Sequence, residues 1–491
     1  MHSFFSRISG VILFSLISVL VLGCGDAEFR SKLIYEIPED PSAGGSGGSA
    51  TVNVGDLCSS SGGMNWTAFD ESKGIQVPPG TPPPDGLSRP YIICSARQIV
   101  SYSVATLGVV EPSVLSLNFQ LNADVDFSGL ILAPIAPVPG FPYQGTFDGN
   151  GYSIRNLSVR GIQSEPLGLF SQLGSDGALK NFRLIGASVG TSQPDPVASP
   201  SVGAVAGVSS GTIQNVRVEN STIVGSMNVG GVVGQVGSLV NPGPSVVKSC
   251  AVRNSTIQGQ YVVGGLVGYL GDDFQKMVSI CEVTGTTIKA LPSIMSMNSV
   301  GGIVGRLNGA SVSDCRAESN LIGESANSYT VGGLVGEIMG GGAFVSGAVL
   351  KYSYSATSTI LGKQFVGGIV GRTPEYATIH HIVSANTLIQ SDDPNAGQIS
   401  GNGNDYLDPS PNGISLTNLY YSNDSECSSM GQACTVNSAW ITQTPKNYVQ
   451  LLSAAEDPYV GINNHYWEFH DGRLPTPILF QGASGEVGIR E

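Results

Sequence analysis

The phrase Val229-Gly230-Gly231-Val232-Val233-Gly234 returns as Val263-Gly264-Gly265-Leu266-Val267-Gly268, Val300-Gly301-Gly302-Ile303-Val304-Gly305, Val331-Gly332-Gly333-Leu334-Val335-Gly336 and Val366-Gly367-Gly368-Ile369-Val370-Gly371. Degenerate copies stand at Val202 to Gly207 and at Leu167 to Phe170. The first residues of the seven copies are 167, 202, 229, 263, 300, 331 and 366, so the period runs from 27 to 37 residues. A repeat of that length marks a solenoid, a propeller or an array.

A second column decides between them. After each phrase the chain passes through Asn181-Phe182, Asn215-Val216, Ser249-Cys250, Ile280-Cys281, Asp314-Cys315, Tyr352-Ser353 and His381-Ile382. Seven residues beyond the second member of each pair stands Val189, Ile223, Ile257, Ile288, Ile322, Ile360 or Ile389. A β-branched residue at one place in every copy predicts a buried strand position. The intervening segments are rich in Val, Ile, Ser and Thr, are broken by Gly and Asn, and lack helical apolar spacing. Propeller blades need about 40 to 50 residues. The reading is therefore an all-β fold, a parallel β-solenoid whose coils stack at roughly 4.8 Å. The double glycine fits either a corner with φ above zero or a place where neighbouring coils approach too closely for a Cβ.

These phrases resemble the GLUG motif, a repeat of bacterial surface proteins and of the non-catalytic part of some IgA-specific metallopeptidases. Pro90 to Ile99 resembles the lead-in before the first coil of such chains, and Leu121 to Gly129 and Gly145 to Ile154 continue the pattern. Tyr466-Trp467-Glu468-Phe469 and Asp471-Gly472-Arg473-Leu474-Pro475 are similar to their closing element. The resemblance covers roughly residues 90 to 480 and implies a right-handed parallel β-helix with N- and C-terminal caps on a bacterial surface, without implying an activity.

Bulk properties agree with a secreted β-rich chain. Of 491 residues 66 are Gly, only 12% are charged and 41% are hydrophobic, ample for a core. A net charge of −14 argues against nucleic acid as a partner, since phosphates are held by Lys and Arg clusters. At the N-terminus His2 and Arg7 precede an apolar run, Val11 to Leu22, too short to span a bilayer. Val21-Leu22-Gly23-Cys24 resembles the lipobox of bacterial lipoproteins. That resemblance implies cleavage before Cys24, acylation of Cys24, and a membrane partner through the lipid anchor. Gly25 in place of Asp favours an outer-membrane address, with surface exposure open.

The expected layout is a signal peptide at 1–23, the lipidated Cys24 with a Pro/Gly/Ser tether at 24–88, a cap with lead-in strands at 89–146, the repeat β-helix at 147–390, and an irregular last coil with a C-terminal cap at 391–491. Thr442 to Ala455 has the spacing of a short capping helix, and Trp467, Phe469, Leu474 and Ile478 would close the core. Cys58 could pair with Cys94 in an oxidising compartment, and Cys427 with Cys434. Cys250, Cys281 and Cys315 share an interior column with Leu157, Phe182, Val216, Ser353 and Ile382, and read as core thiols. A disulfide between two adjacent rungs is the rival.

The search for chemistry is mostly negative. None of the five histidines lies in H-E-x-x-H, and no G-x-S-x-G elbow or P-loop is present. Asp124 and Asp126 invite a metal or catalytic reading, but a structural role weighs more, and Asp148 reads as a turn former. His380 and His381 read as rung side chains near the outer face. Asp272, Asp273, Glu318 and Glu337 are scattered acids. No metal site, cofactor or catalytic residue is expected. The functional expectation is a non-enzymatic, membrane-anchored surface lipoprotein presenting an elongated lateral face to a glycan, matrix or protein ligand. The alternatives are a polysaccharide lyase or glycoside hydrolase acting along the groove, by fold analogy alone, and a purely structural envelope protein.

Overall fold

The β-branched column is a ladder of stacked side chains. Val159, Val189, Ile223, Ile257, Ile288, Ile322, Ile360, Ile389 and Cys427 stand opposite one another on successive parallel strands. The isoleucines among them are fully buried. In the computed structural model, residues 90–429 are described except for 109–111, 162–164, 191–200, 238–242, 272–274, 294–296, 325, 340–346, 374–376, 394–395, 402–414, 423 and single side chains. Two-residue strands at 69–70, 74–75, 432–433, 467–468 and 476–477 complete the description. All of these lie in the unit Ser49–Glu491; a separate unit, Met1–Gly48, lies outside the described residues.

The chain forms a β-solenoid of about seven turns, built from sheets of 13, 10, 7 and 7 strands that we call I to IV, parallel except for the edge strand Gln432–Ala433 of sheet II. One coil visits them in order, as Lys276–Thr284, Thr287–Ala290, Ser299–Gly301 and Val304–Asn308. The repeated phrase supplies sheets III and IV. Leu167, Val202, Val229, Val263, Val300, Val331, Val366 and Ala396 pair in one ladder, which places the two degenerate copies in the same register as the five full ones.

The glycines resolve in favour of close approach. None of those in the five full phrases has a positive φ. A Cβ on Gly301 would stand 2.0 Å from the Val304 carbonyl oxygen, where the chain folds back within its own coil. One on Gly302 would stand 2.0 Å from the Gly333 carbonyl oxygen of the next coil. The second position is the more forgiving, since Ala204 and Leu169 occupy it in the first two copies and are buried.

The positive-φ corners fall elsewhere. Asn181, Asn215, Ser249, Ile280, Asp314, Tyr352, His381 and Asn418, at φ of 50 to 60°, put one left-handed residue into each long strand of sheet I. That residue shifts the inward and outward alternation by one, so Leu179 and Phe182 both face the core. Asn side chains accept this conformation and also bond along the stack: Asn215 Nδ2 donates to Asn181 Oδ1 at 2.8 Å, and Asn181 Nδ2 to Asp148 Oδ1 at 3.1 Å. A second left-handed column, Asn156, Gly186, Asn220, Asn254, Gly285, Ser319 and Thr357, turns sheet I into sheet II. Asp148 serves the first turn as expected, accepting from the Asn150 amide at 2.8 Å.

One sequence assignment is corrected. Leu157 does not share the cysteine column: Ser158 pairs with Ser188, which puts Leu157 opposite Ala187, one corner later. Cys250, Cys281 and Cys315 do share it, all fully buried. Cys281 and Cys315 are joined by a disulfide between adjacent coils, with Cα atoms 4.4 Å apart, and Cys250 keeps its thiol. The rival reading therefore holds for two cysteines and the core-thiol reading for one. Cys94 and Cys427 are also disulfide-bonded, whereas Cys58 and Cys434 lie outside the described side chains, so both proposed pairings remain expectations.

At the N-terminal end, helix α1 (Ala96–Thr106) follows Ser95, and Gln98 Oε1 accepts from the Cys94 and Ser95 amides. Ile99, Val100 and Tyr102 of α1 join the main core cluster. Aromatic side chains fill that end: Tyr102 lies 4.4 Å from Phe119 and Tyr143 4.8 Å from Phe170, centroid to centroid. The capping helix expected at 442–455, the side chain of Trp467, and Phe469, Leu474 and Ile478 lie outside the description, as do the signal peptide, Cys24 and the tether apart from the strands at 69–70 and 74–75.

Two outcomes follow. Gly301→Ala should destabilise the protein by about 1–3 kcal/mol, as overpacking against backbone does. Gly243→Ala, where a Cβ would meet nothing nearer than 3.9 Å, should barely move the denaturation midpoint. In the native protein Cys250 should resist iodoacetamide at pH 9, because burial pushes its pKa up to about 12. It should react once denaturant unfolds the chain, as thiol counting by mass would read.

Candidate binding face

The outward columns of sheet I carry charge in register. Two residues past each left-handed corner stand Arg183, Arg217, Ala251, Glu282, Arg316, Tyr354, Val383 and Tyr420, aligned across eight strands. The column beside it holds Glu219, Arg253, Thr284 and Glu318. Alternation on a strand sends both columns to the same side, so long side chains meet between coils.

They meet as a chain of ion pairs. Arg253 Nε donates to Glu282 Oε1 at 2.7 Å, Arg316 Nη2 to Glu282 Oε2 at 2.7 Å, and Arg316 Nη1 to Glu318 Oε2 at 3.0 Å. The Glu282 side chain is only 3% exposed. Burial alone would raise its pKa, but the Arg316 and Arg253 guanidiniums outweigh that and hold it below the usual carboxylate value. Further along, Arg183 Nη2 meets Glu219 Oε2 at 3.0 Å. Arg183, Arg217, Glu219, Asn220, Arg253 and Asn254 line a surface pocket of ≈ 320 Å³. Burial there, reinforced by the Arg253 guanidinium, lowers the Arg217 pKa to about 10.

The residues singled out from sequence fall into structural roles. Asp124 accepts from the Ser153 amide at 2.8 Å and from Arg155 Nη2 at 3.2 Å. Asp126 accepts from Asn156 Nδ2, the Ser128 amide and the Ser128 hydroxyl, and the Asn156 bond leads in lowering its pKa. Each ties one coil to the next. Glu318 belongs to the ion-pair chain above, and Glu337 is gripped on sheet IV by Arg306 at 2.8 Å and Arg372 at 3.6 Å. His380 and His381 are half-buried rung side chains whose Nδ1 atoms lie 2.9 Å apart, and burial lowers both pKa values. Asp272 and Asp273 lie outside the described residues. Among the described residues no three His, Cys, Asp or Glu side chains gather as metal ligands.

Sequence reasoning missed the arginines and Glu282, although one further column of the repeat alignment holds them. Read two places past Asn181, Asn215, Ile280 and Asp314, the chain gives Arg183, Arg217, Glu282 and Arg316.

No family model matches the chain. Halomucin of Haloquadratum walsbyi (strain DSM 16790 / HBSQ001) is 35% identical over 158 residues, which is 30% of this chain and 2% of halomucin. The chain thus spans a small fraction of that relative's length. Among solved structures, a candidate immunoglobulin A1 protease from Bacteroides ovatus aligns with a TM-score of 0.40 at 19% identity, over 80% of this chain and 94% of that one.

Glu282→Gln should destabilise the protein by about 3 kcal/mol at pH 7, since breaking a buried pair strands its partners. The folded carboxyl titrates below its unfolded value of about 4.3, so the stabilisation is complete above that pH and fades as pH falls through the lower folded pKa. Denaturation curves of the two proteins should accordingly converge in acid.

Proposed function

We propose that this chain is a lipid-anchored bacterial surface protein of the GLUG-repeat kind, whose solenoid binds a glycan, matrix or protein ligand without acting on it chemically. The observation that carries the reading is the outer side of sheet I, where Arg183, Arg217 and Arg253 stay partly exposed around a pocket, while Glu282, Tyr354 and Tyr420 further along are buried. Such a face is preorganised, since its side chains lose little further freedom when a ligand arrives. The lipobox-like Val21-Leu22-Gly23-Cys24 and the tether supply the anchor and the spacing from the membrane. The acids that catalysis would need are engaged in holding coil to coil at Asp124, Asp126, Glu282 and Glu337, and within one strand at Glu318.

The test is incubation of the purified protein with a panel of polysaccharides and matrix proteins, scoring retention and new reducing ends together. Retention without cleavage is the expected outcome, and new reducing ends would replace this reading with a lyase or hydrolase. In parallel, Cys24→Ser should move the protein out of the membrane fraction.

A further inference from the structure

A thiol and a disulfide stand in one interior column of sheet I. Cys250, Cys281 and Cys315 lie opposite one another on the successive strands Ser245–Arg253, Lys276–Thr284 and Ser311–Glu318, and all three are fully buried. The middle cysteine therefore has a cysteine on the coil to either side. It is bonded to Cys315, at a Cα separation of 4.4 Å, while Cys250 on its other side keeps a free thiol. Paired strands stand about 4.8 Å apart, so the Cys250 pairing is also within the reach of a disulfide. The two outer positions are matched in their hydrogen bonding as well. Cys250 Sγ donates to the Lys248 carbonyl at 3.2 Å, and Cys315 Sγ lies 3.3 Å from the carbonyl of Ser313, which holds the same place two coils on. Ser353, next in the column, donates its hydroxyl to the corresponding carbonyl, that of Lys351, at 2.8 Å. These coils thus offer a carbonyl to whichever side chain of the column carries a hydrogen.

We infer that the disulfide moves by one coil, Cys250 displacing Cys315 from Cys281, so that the stack carries its covalent link in either of two places. In that step the Cys250 thiol gives up its proton and its thiolate forms the new S–S bond to Cys281 Sγ. The old bond breaks with its electron pair on Cys315 Sγ, which takes up a proton. Nothing is oxidised or reduced overall, and no external thiol or oxidant is consumed. Displacement at sulfur runs in line, and a column of side chains stacked along the solenoid axis supplies that line. The exchanged form loses no hydrogen bond, since the released Cys315 thiol meets the Ser313 carbonyl as the Cys250 thiol had met that of Lys248. The linked positions change from 34 residues apart to 31, because 281 less 250 is 31. Burial keeps the Cys250 thiol protonated, which makes the exchange slow in the closed stack and faster in alkali. The device is independent of what the outer face binds.

The experiment is peptide mapping of the full chain held at pH 8, 9 and 10, then unfolded at pH 5 in denaturant with excess N-ethylmaleimide, which tags the free cysteine before further exchange. Without incubation the tag is expected on Cys250. After incubation at least about a tenth of the molecules should carry it on Cys315, with Cys250 linked to Cys281, and the change should come about tenfold faster for each pH unit, as the thiolate fraction does. Cys250→Ser, whose hydroxyl suits the column as that of Ser353 does, should show no tag on Cys315 at any pH. Cys315→Ser should close a Cys250–Cys281 disulfide in air and leave neither cysteine open to the tag. A tag confined to Cys250 in the incubated parent overturns the inference, and so does a Cys315 tag that persists in Cys250→Ser. Tags on both Cys250 and Cys281 in a folded Cys315→Ser protein overturn it too; if that variant does not fold, the parent and Cys250→Ser decide.

Discussion

A carbonyl oxygen that leaves no room for a β-carbon is the constraint on which the stack depends. At Gly230, Gly264, Gly301, Gly332 and Gly367 the chain folds from sheet III into sheet IV so tightly that the carbonyl of the valine three residues on stands 1.9 to 2.1 Å from where a Cβ would be. Because the fold is made locally, it recurs wherever the phrase recurs, and every coil enters sheet IV at the same place. The valines on either side then stack in register without further instruction. The Cys281–Cys315 disulfide, the Asn181–Asn215 side-chain bond and the charged columns all presuppose that register.

Each coil is a simple physical object: a ring of four strand segments enclosing β-branched side chains, with backbone hydrogen bonds to the coil on either side. Nearest-neighbour contacts of this kind make stability additive along the stack. Variation in coil length, from 27 to 37 residues, is absorbed between strands. The first coils differ because Tyr143, Phe147 and Phe170 stand where later coils carry mostly aliphatic side chains, and α1 lies against their end of the core.

The repeat phrase and the isoleucine column were legible because each is a strict constraint: no Cβ in one case, a buried pleated surface in the other. Asn181, Asn215, Asn220 and Asn254 carried a legible signal of left-handed corners, but Ile280, Tyr352 and Thr357 share the conformation against their own preference, held there by the coils on either side. The alternation shift at those corners is also why the long strands do not read as simple two-residue repeats. Leu157 was misplaced because the first coil turns at Asn150 and Gly151, so spacing counted from later coils does not transfer. The arginine pocket was hidden for a different reason. Arg183, Arg217 and Arg253 follow one another at intervals of 34 and 36 residues in sequence, and their convergence is a property of the stack. A cluster of that sort becomes visible only when the register is applied to outward-facing columns as well as to the core.

The bond between Cys281 and Cys315 has a mechanical meaning. A stack pulled at one end yields by peeling, each coil leaving its neighbour one hydrogen bond at a time. The disulfide joins positions 34 residues apart on adjacent coils, so a peeling front reaching it meets a covalent loop. The chain enclosed between Cys281 and Cys315 is withheld from the pulling force until the sulfurs are reduced, while the force passes through the bond to the coils beyond. The solenoid therefore has one stretch of chain that load cannot draw out in an oxidising setting and that is released in a reducing one.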